Sequence, residues 1–289
     1  MTEADYRFIF RGNAVAVSGH IRRPKDMLIV SQAPAAVGVT GGLSRGEARD
    51  GNFGDILRFA SANSEVFADY QDPAKAVEFT HGNHGHNRLP TRTTVSASVE
   101  GITMVNADDR TRRTLAVGKV AAQLVSEWPG SNRQTSVRIP AVAIDGLKLD
   151  ESELEVTFHN RTFSELDTRY KLARAYQGSD DFFKKFGHLF FFPAGLVPTL
   201  NWLRRMPQAG GITMCTIVES IRWKGAPNPN AEIRGNSIIF RDFGTIYLGE
   251  LLVSDFERRL TMMRIQLGSP EGGDVCYVEG QTNGNGYPP

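Results

Sequence analysis

Short apolar runs with a period of two, punctuated by Gly, Asp, Asn and Pro, dominate the chain. The most regular lie in residues 232–269, where 237–240, 245–253 and 259–267 are rich in Ile, Leu, Val, Phe and Tyr. Asp242-Phe243-Gly244 and Ser254-Asp255 close them off. Runs of this length with short polar connections predict a β-meander. In the middle run Ile246, Leu248 and Leu252 fall on one side, and Tyr247, Leu251 and Val253 on the other. A strand apolar on both sides is expected inside a sheet that is covered above and below.

The same pattern extends through most of the chain. Residues 6–22 alternate on either side of Gly12-Asn13 and predict a hairpin, with Pro24 as its end. A short strand follows at 27–30, then a Gly-rich and small-residue stretch at 33–55 that reads as loop. That stretch carries neither GxxxxGK[ST] nor GxGxxG, so its glycines do not indicate a phosphate site. Residues 56–60 and 66–70 predict two further strands, with a short helix as the alternative for the second. From Thr94, Val95, Ala97 and Val99 face one way and Ser96, Ser98 and Glu100 the other, with 102–105 continuing apolar. Residues 114–128 fit a helical face as well as a strand. Gly118 and the strand-like flanks assign them to a strand. Strands are also predicted at 137–144, 154–158 and 212–223, with an extended or mobile tail from Glu271.

One interval breaks the pattern. In 164–176, Leu166, Tyr170 and Ala173 have helical spacing, and Glu165/Arg169 and Asp167/Lys171 are i,i+4 ion pairs. Gly178 ends this helix, and Ser179-Asp180-Asp181 starts a second, shorter one. Pro193 and Pro198 break the apolar run that follows. The fold expected is mainly β: an antiparallel sandwich or distorted barrel, one domain over residues 1–289, with a short helical insertion at about 160–208.

Composition narrows the function classes. With 40% hydrophobic and 22% charged residues, the 289-residue chain is of globular type, and a formal charge of +1 gives no field for steering to nucleic acid. The arginine pairs Arg22-Arg23, Arg112-Arg113, Arg204-Arg205 and Arg258-Arg259 are spread among acids and read as surface ion pairing. No nucleic-acid partner is expected. Cys215 and Cys276 are too few for a disulfide framework and are expected as free thiols, with a single bridge between them as the alternative. MTEADYRFIF has no secretory pattern and no run of transmembrane length is present, so the expected location is cytoplasmic.

Two stretches carry candidate chemistry. His81, His84 and His86, with glycines between them, could fold around a transition ion such as Zn or Fe. Glu78, Asp69, His20, His159 or His188 would complete such a site, but no HExxH or Cys/His spacing accompanies it, and no cofactor is the leading expectation. The segment from Phe182 to Trp202, with Phe190, Phe191, Phe192, Leu196 and Trp202, suits docking of a protein partner or self-association, and secondarily contact with a membrane interface. His159 at a strand end and His188 beside the phenylalanines read as ordinary structural positions. No GxSxG or paired nucleophile and base is present. The expected function is therefore a non-catalytic binding or assembly protein acting through β-edges and the aromatic segment. The alternatives are a metal-dependent enzyme using the histidine loop and a carrier of a small apolar ligand.

Overall fold

A computed structural model of the chain describes residues 10–23, 26–71, 90–106, 112–129, 135–159, 213–253, 257–268 and 272–283, together with 163, 165–168, 171 and 172. In chain order the strands are β1 (Gly12–Ile21), β2 (Met27–Gln32), β3 (Ala35–Val37), β4 (Gly42–Phe53), β5 (Leu57–Tyr70) and β6 (Thr91–Val105). Then come β7 (Thr114–Trp128), β8 (Ser136–Asp145), β9 (Leu147–Leu149), β10 (Ser152–Phe158), β11 (Thr213–Thr216) and β12 (Val218–Trp223). The last five are β13 (Ala231–Arg234), β14 (Ser237–Phe240), β15 (Gly244–Val253), β16 (Glu257–Leu267) and β17 (Gly273–Asn283).

These strands form two antiparallel sheets. One runs β13-β14-β15-β16-β17-β1-β2, with β11 beside β15 and β3 beside β1; the other runs β12-β10-β9-β7-β6-β5-β4, with β8 beside β7. Their facing sides share one continuous core, in which Val66, Val95, Val99, Val120 and Leu124 of one sheet belong with Ala14, Val17, Met263, Ile265 and Tyr277 of the other. The protein is a β-sandwich.

A transverse row divides each sheet. In the eight-stranded sheet it runs Asp50, Ala60, Gly101, Gly118, Gly146, and regular partnering lapses or ends there in each ladder. Inward facing changes parity across it. In β5, Leu57 and Phe59 give way to Ala62 and Val66; in β6, Val95, Ala97 and Val99 give way to Ile102 and Met104; and in β7, Leu115 and Val117 give way to Val120 and Leu124.

The nine-stranded sheet has the matching row Ala16, Val278, Met262, Gly249, where inward facing passes from Ala14 and Ala16 to Val17 and Ile21, and from Leu248 to Leu251. Alternate strands take left-handed backbone at these rows, with φ of 51° at Asp50, 66° at Gly101, 63° at Gly146, 55° at Val278 and 61° at Gly249. Residues of this kind act as bulges, which re-aim side chains and increase strand twist, so strands of 14 and 15 residues can bend with the core.

At the end of the second row the chain changes sheets. Ile217, between β11 and β12, donates its N–H to the Gly249 carbonyl (2.9 Å) and accepts at its own carbonyl from the N–H of His159 (2.8 Å). One residue is thus bonded to both sheets. A Cβ on Gly249 would lie 2.8 Å from Ile217 Cγ1 and 2.9 Å from Val218 Cγ2. At the far end of the core, the buried Arg258 of β16 donates to the Thr135 carbonyl ahead of β8 (3.1 Å), a second link between sheets.

Several expectations change. The helical insertion is not supported: most of 160–208 lies outside the described residues, and in the part described 165, 171 and 172 are helical but 166–168 are not, which breaks the expected 164–176 helix. The Asp167 carbonyl accepts from Val137 N–H and Thr168 bridges Ser136, so pairing with β8 interrupts the helical spacing, although Lys171–Asp167 (2.7 Å) forms as expected. The stretch at 33–55 holds β3 and the long β4, and the runs at 56–60 and 66–70 are one strand, β5. Gly12-Asn13 lies within β1 rather than at a turn, and the tail from 273 is β17, paired on both sides by β16 and β1. β15 is apolar in both parities because its facing inverts at Gly249, whereas Tyr247 and Leu252 are only half-buried.

The Gly249 position gives a direct test. Gly249→Ala combines a left-handed backbone with the close approach to Ile217, and is expected to lower unfolding free energy by about 2 kcal/mol in urea titration. Gly225→Ala, with open space around it, is the near-neutral control.

Candidate functional site in the outer trough of the eight-stranded sheet

The outer face of β4–β8 is built in registered rows. One reads Arg45, Glu65, Ser96, Gln123, Ala141 and the next Glu47, Asn63, Ser98, Ala121, Ala143. Their centre carries the short side chains of Ser96, Ser98, Ala121, Ala141 and Ala143 beside Gln123, and longer ones stand around it, which leaves an open trough of about 480 Å³. A row of Arg49, Ser61, Glu100, Lys119 and Asp145 borders it along the transverse row of left-handed residues. On the opposite border, Leu43 and Phe67 are paired across β4 and β5, and both are exposed.

Four of the charged groups around the trough form two ion pairs, and Glu47 stands beside them on β4. Arg45 Nε lies 2.6 Å from Glu65 Oε2, and Lys119 Nζ lies 2.9 Å from Glu100 Oε1. Beyond the apolar border, Glu127 receives both Arg92 and Arg138. The floor therefore offers the hydroxyls of Ser96 and Ser98 and the amides of Asn63 and Gln123, neutral groups that donate and accept hydrogen bonds. Such a surface can hold a ligand by shape and hydrogen bonding.

The candidates from sequence are placed as follows. His81, His84 and His86, with Glu78, lie outside the described residues, as do His188 and the segment with Phe190, Phe191, Phe192, Leu196 and Trp202. His20 pairs with Asp26 (2.5 Å) and His159 stands 3.9 Å from Glu219, each with a local carboxylate. Among the described residues no group of three His, Cys, Asp or Glu is arranged to hold a metal ion, and no helix is long and apolar enough to cross a membrane. Between the sheets, the void at Val95, Leu124, Leu260 and Val278 is about 10 Å³, with no ligand-sized space at that place.

Sequence reasoning assigned Ser96, Ser98 and Glu100 to one face but missed the trough. Its outer wall comes from β4, whose SRGEARDGN reads locally as loop. The signal that was available is the set of small residues at alternate positions in three neighbouring strands: Ser96 and Ser98, Ala121, and Ala141 and Ala143.

Both cysteines are free thiols. Cys215 is buried and directs Sγ towards the Leu251 carbonyl (3.6 Å), and Cys276 is partly buried. Burial pushes the Cys215 thiol far up and that of Cys276 up to about 11. On the outer face beside Cys276, Arg264 holds Glu250 through two hydrogen bonds of 2.8 Å and stacks over Tyr247.

A family profile described as "Domain of unknown function (DUF8256)" matches residues 8–188, more than half of the chain. The match includes β1–β10 and hence the whole trough. No curated protein and no solved structure matches the chain.

Thiol chemistry follows from the burial of the two cysteines. Alkylation of the folded protein is expected to be slow at pH 8, where both thiols stay protonated. The rate at Cys276 should rise towards about pH 11 while Cys215 reacts only on unfolding, as peptide mass mapping can read.

Proposed function

The chain belongs to the DUF8256 family, and we propose that it is a non-catalytic binding or assembly protein whose recognition surface is the outer trough of the eight-stranded sheet. The observation that carries this reading is the composition of the trough. Its centre is formed by Ser96, Ser98, Ala121, Ala141 and Ala143, so a partner's backbone or side chains can approach the sheet closely. Arg45 with Glu65 and Lys119 with Glu100 form ion pairs at its sides and Glu47 adds a carboxylate on the β4 wall, an arrangement that suits orientation of a partner more than proton transfer.

Two further features support a protein as the ligand. Exposed Leu43 and Phe67 adjoin the hollow, giving an apolar border of the kind that protein interfaces bury. Among the described residues the floor has no aromatic platform on which a sugar ring or a base would stack. The aromatic segment from Phe182 to Trp202 remains a second proposed contact, on its sequence alone.

Filling the trough tests the reading. Affinity capture from extract of the source cells with tagged wild-type chain is expected to retain a protein partner. Ala121→Trp, on the outer face, should weaken that binding about tenfold or more without moving the melting transition. No partner for a strictly monomeric wild type, or capture indifferent to Ala121→Trp, would contradict it.

A further inference from the structure

The four strands that end the two sheet paths differ in how they are protected. β4 carries Arg45, Glu47 and Arg49; β12 carries Glu219 and Arg222; and β13 is four residues long with Glu232 and Arg234 paired along it. Charge and shortness of this kind discourage edge-to-edge association. β2 has neither defence in its sequence, MLIVSQ, which contains no charged residue. Leu28 is 68% exposed and Val30 61% exposed on its outer face, while Ile29 between them is buried.

One side of β2 is bonded to β1, and among the described residues no strand pairs with its other side. In an antiparallel arrangement alternate residues of such a strand direct backbone N–H and C=O groups outward, where a further strand can bond them; the Val30 carbonyl accepts from Gln32 Nε2 (2.8 Å).

We propose that β2 is a homotypic edge, at which the β2 strands of two copies of this chain pair antiparallel across a two-fold axis and join two nine-stranded sheets into one. The strand is complementary to itself in this arrangement. With Ile29 opposite Ile29 of the second copy, Leu28 stands opposite Val30 and Val30 opposite Leu28, so the exposed apolar side chains cover one another. Asp26 then faces Gln32 rather than a like charge. The formal charge of +1 adds almost no repulsion between copies. A two-fold contact of this kind is closed and stops at the dimer. The proposal rests on the reading of the chain as an assembly protein and names a second surface of it, distinct from the trough.

Sedimentation velocity on the full chain across a range of concentrations tests it. The wild type is expected to show a concentration-dependent dimer. Val30→Lys, which places charges close to one another across the axis, should weaken it about tenfold or more with an unchanged melting transition. Register is tested separately: a mixture of Leu28→Cys and Val30→Cys chains should give a disulfide-linked dimer under oxidation more readily than either variant alone, with wild type as the control for the native thiols. A monomer at every concentration, a dimer indifferent to Val30→Lys, or cross-linking no better in the mixture would overturn the proposal. Partner capture that depends on Ala121 would survive any of those results, so the two readings fail independently.

Discussion

The passage of the chain from one sheet to the other at Ile217 is the contact on which the sandwich depends. It needs a neighbour without a side chain, and Gly249 supplies one while holding Ile217 by its carbonyl. Gly249 is also the end of a row of residues at which the central strands of that sheet change their inward parity. The other sheet has a row of the same kind, through Gly101 and Gly146. Left-handed backbone costs about 1–3 kcal/mol at a residue with a side chain, and Val278 carries that cost at the centre of the core. Neighbouring strands that bend along one line keep their hydrogen-bond register on both sides of it.

This arrangement explains which parts of the fold were legible in the sequence. Strands with strict alternation on one side of a row, such as Val95, Ala97 and Val99, were read correctly, as was the meander at the C-terminal end. Alternation fails at the rows themselves, and there a local reading breaks one strand in two, as it did for β5 at Ala60, or treats both faces as buried, as it did for β15. β4 and β17 were hidden for a different reason. Their Gly, Asn and charged residues resemble loops, and only pairing with neighbouring strands makes them strands. The helix expected at 164–176 met the converse effect, since Asp167 and Thr168 bond to β8.

The candidate sites follow the same division. Single residues with recognisable chemistry, such as the histidines, can be picked from a sequence, but a surface made of Ser and Ala on neighbouring strands acquires its shape only from register. Both the trough and the β2 edge have this character. The trough exists because short side chains align beside the row through Gly101, and β2 is distinctive only by comparison with the other sheet ends. At the trough, Leu43 and Phe67 stand exposed at the border and Arg45–Glu65 and Lys119–Glu100 are paired, whereas the β2 edge presents Leu28 and Val30.

The central claim is that facing inverts at one row of each sheet, and Val278 tests it most directly. With Tyr277 it makes two consecutive inward residues, next to Leu260 of the neighbouring β16 and to Val95 and Leu124 across the core. Methyl-methyl nuclear Overhauser effects on selectively labelled protein should connect Val278 with these residues. If alternation ran uninterrupted through β17, Val278 would face solvent, those cross-peaks would be missing, and the account would be contradicted.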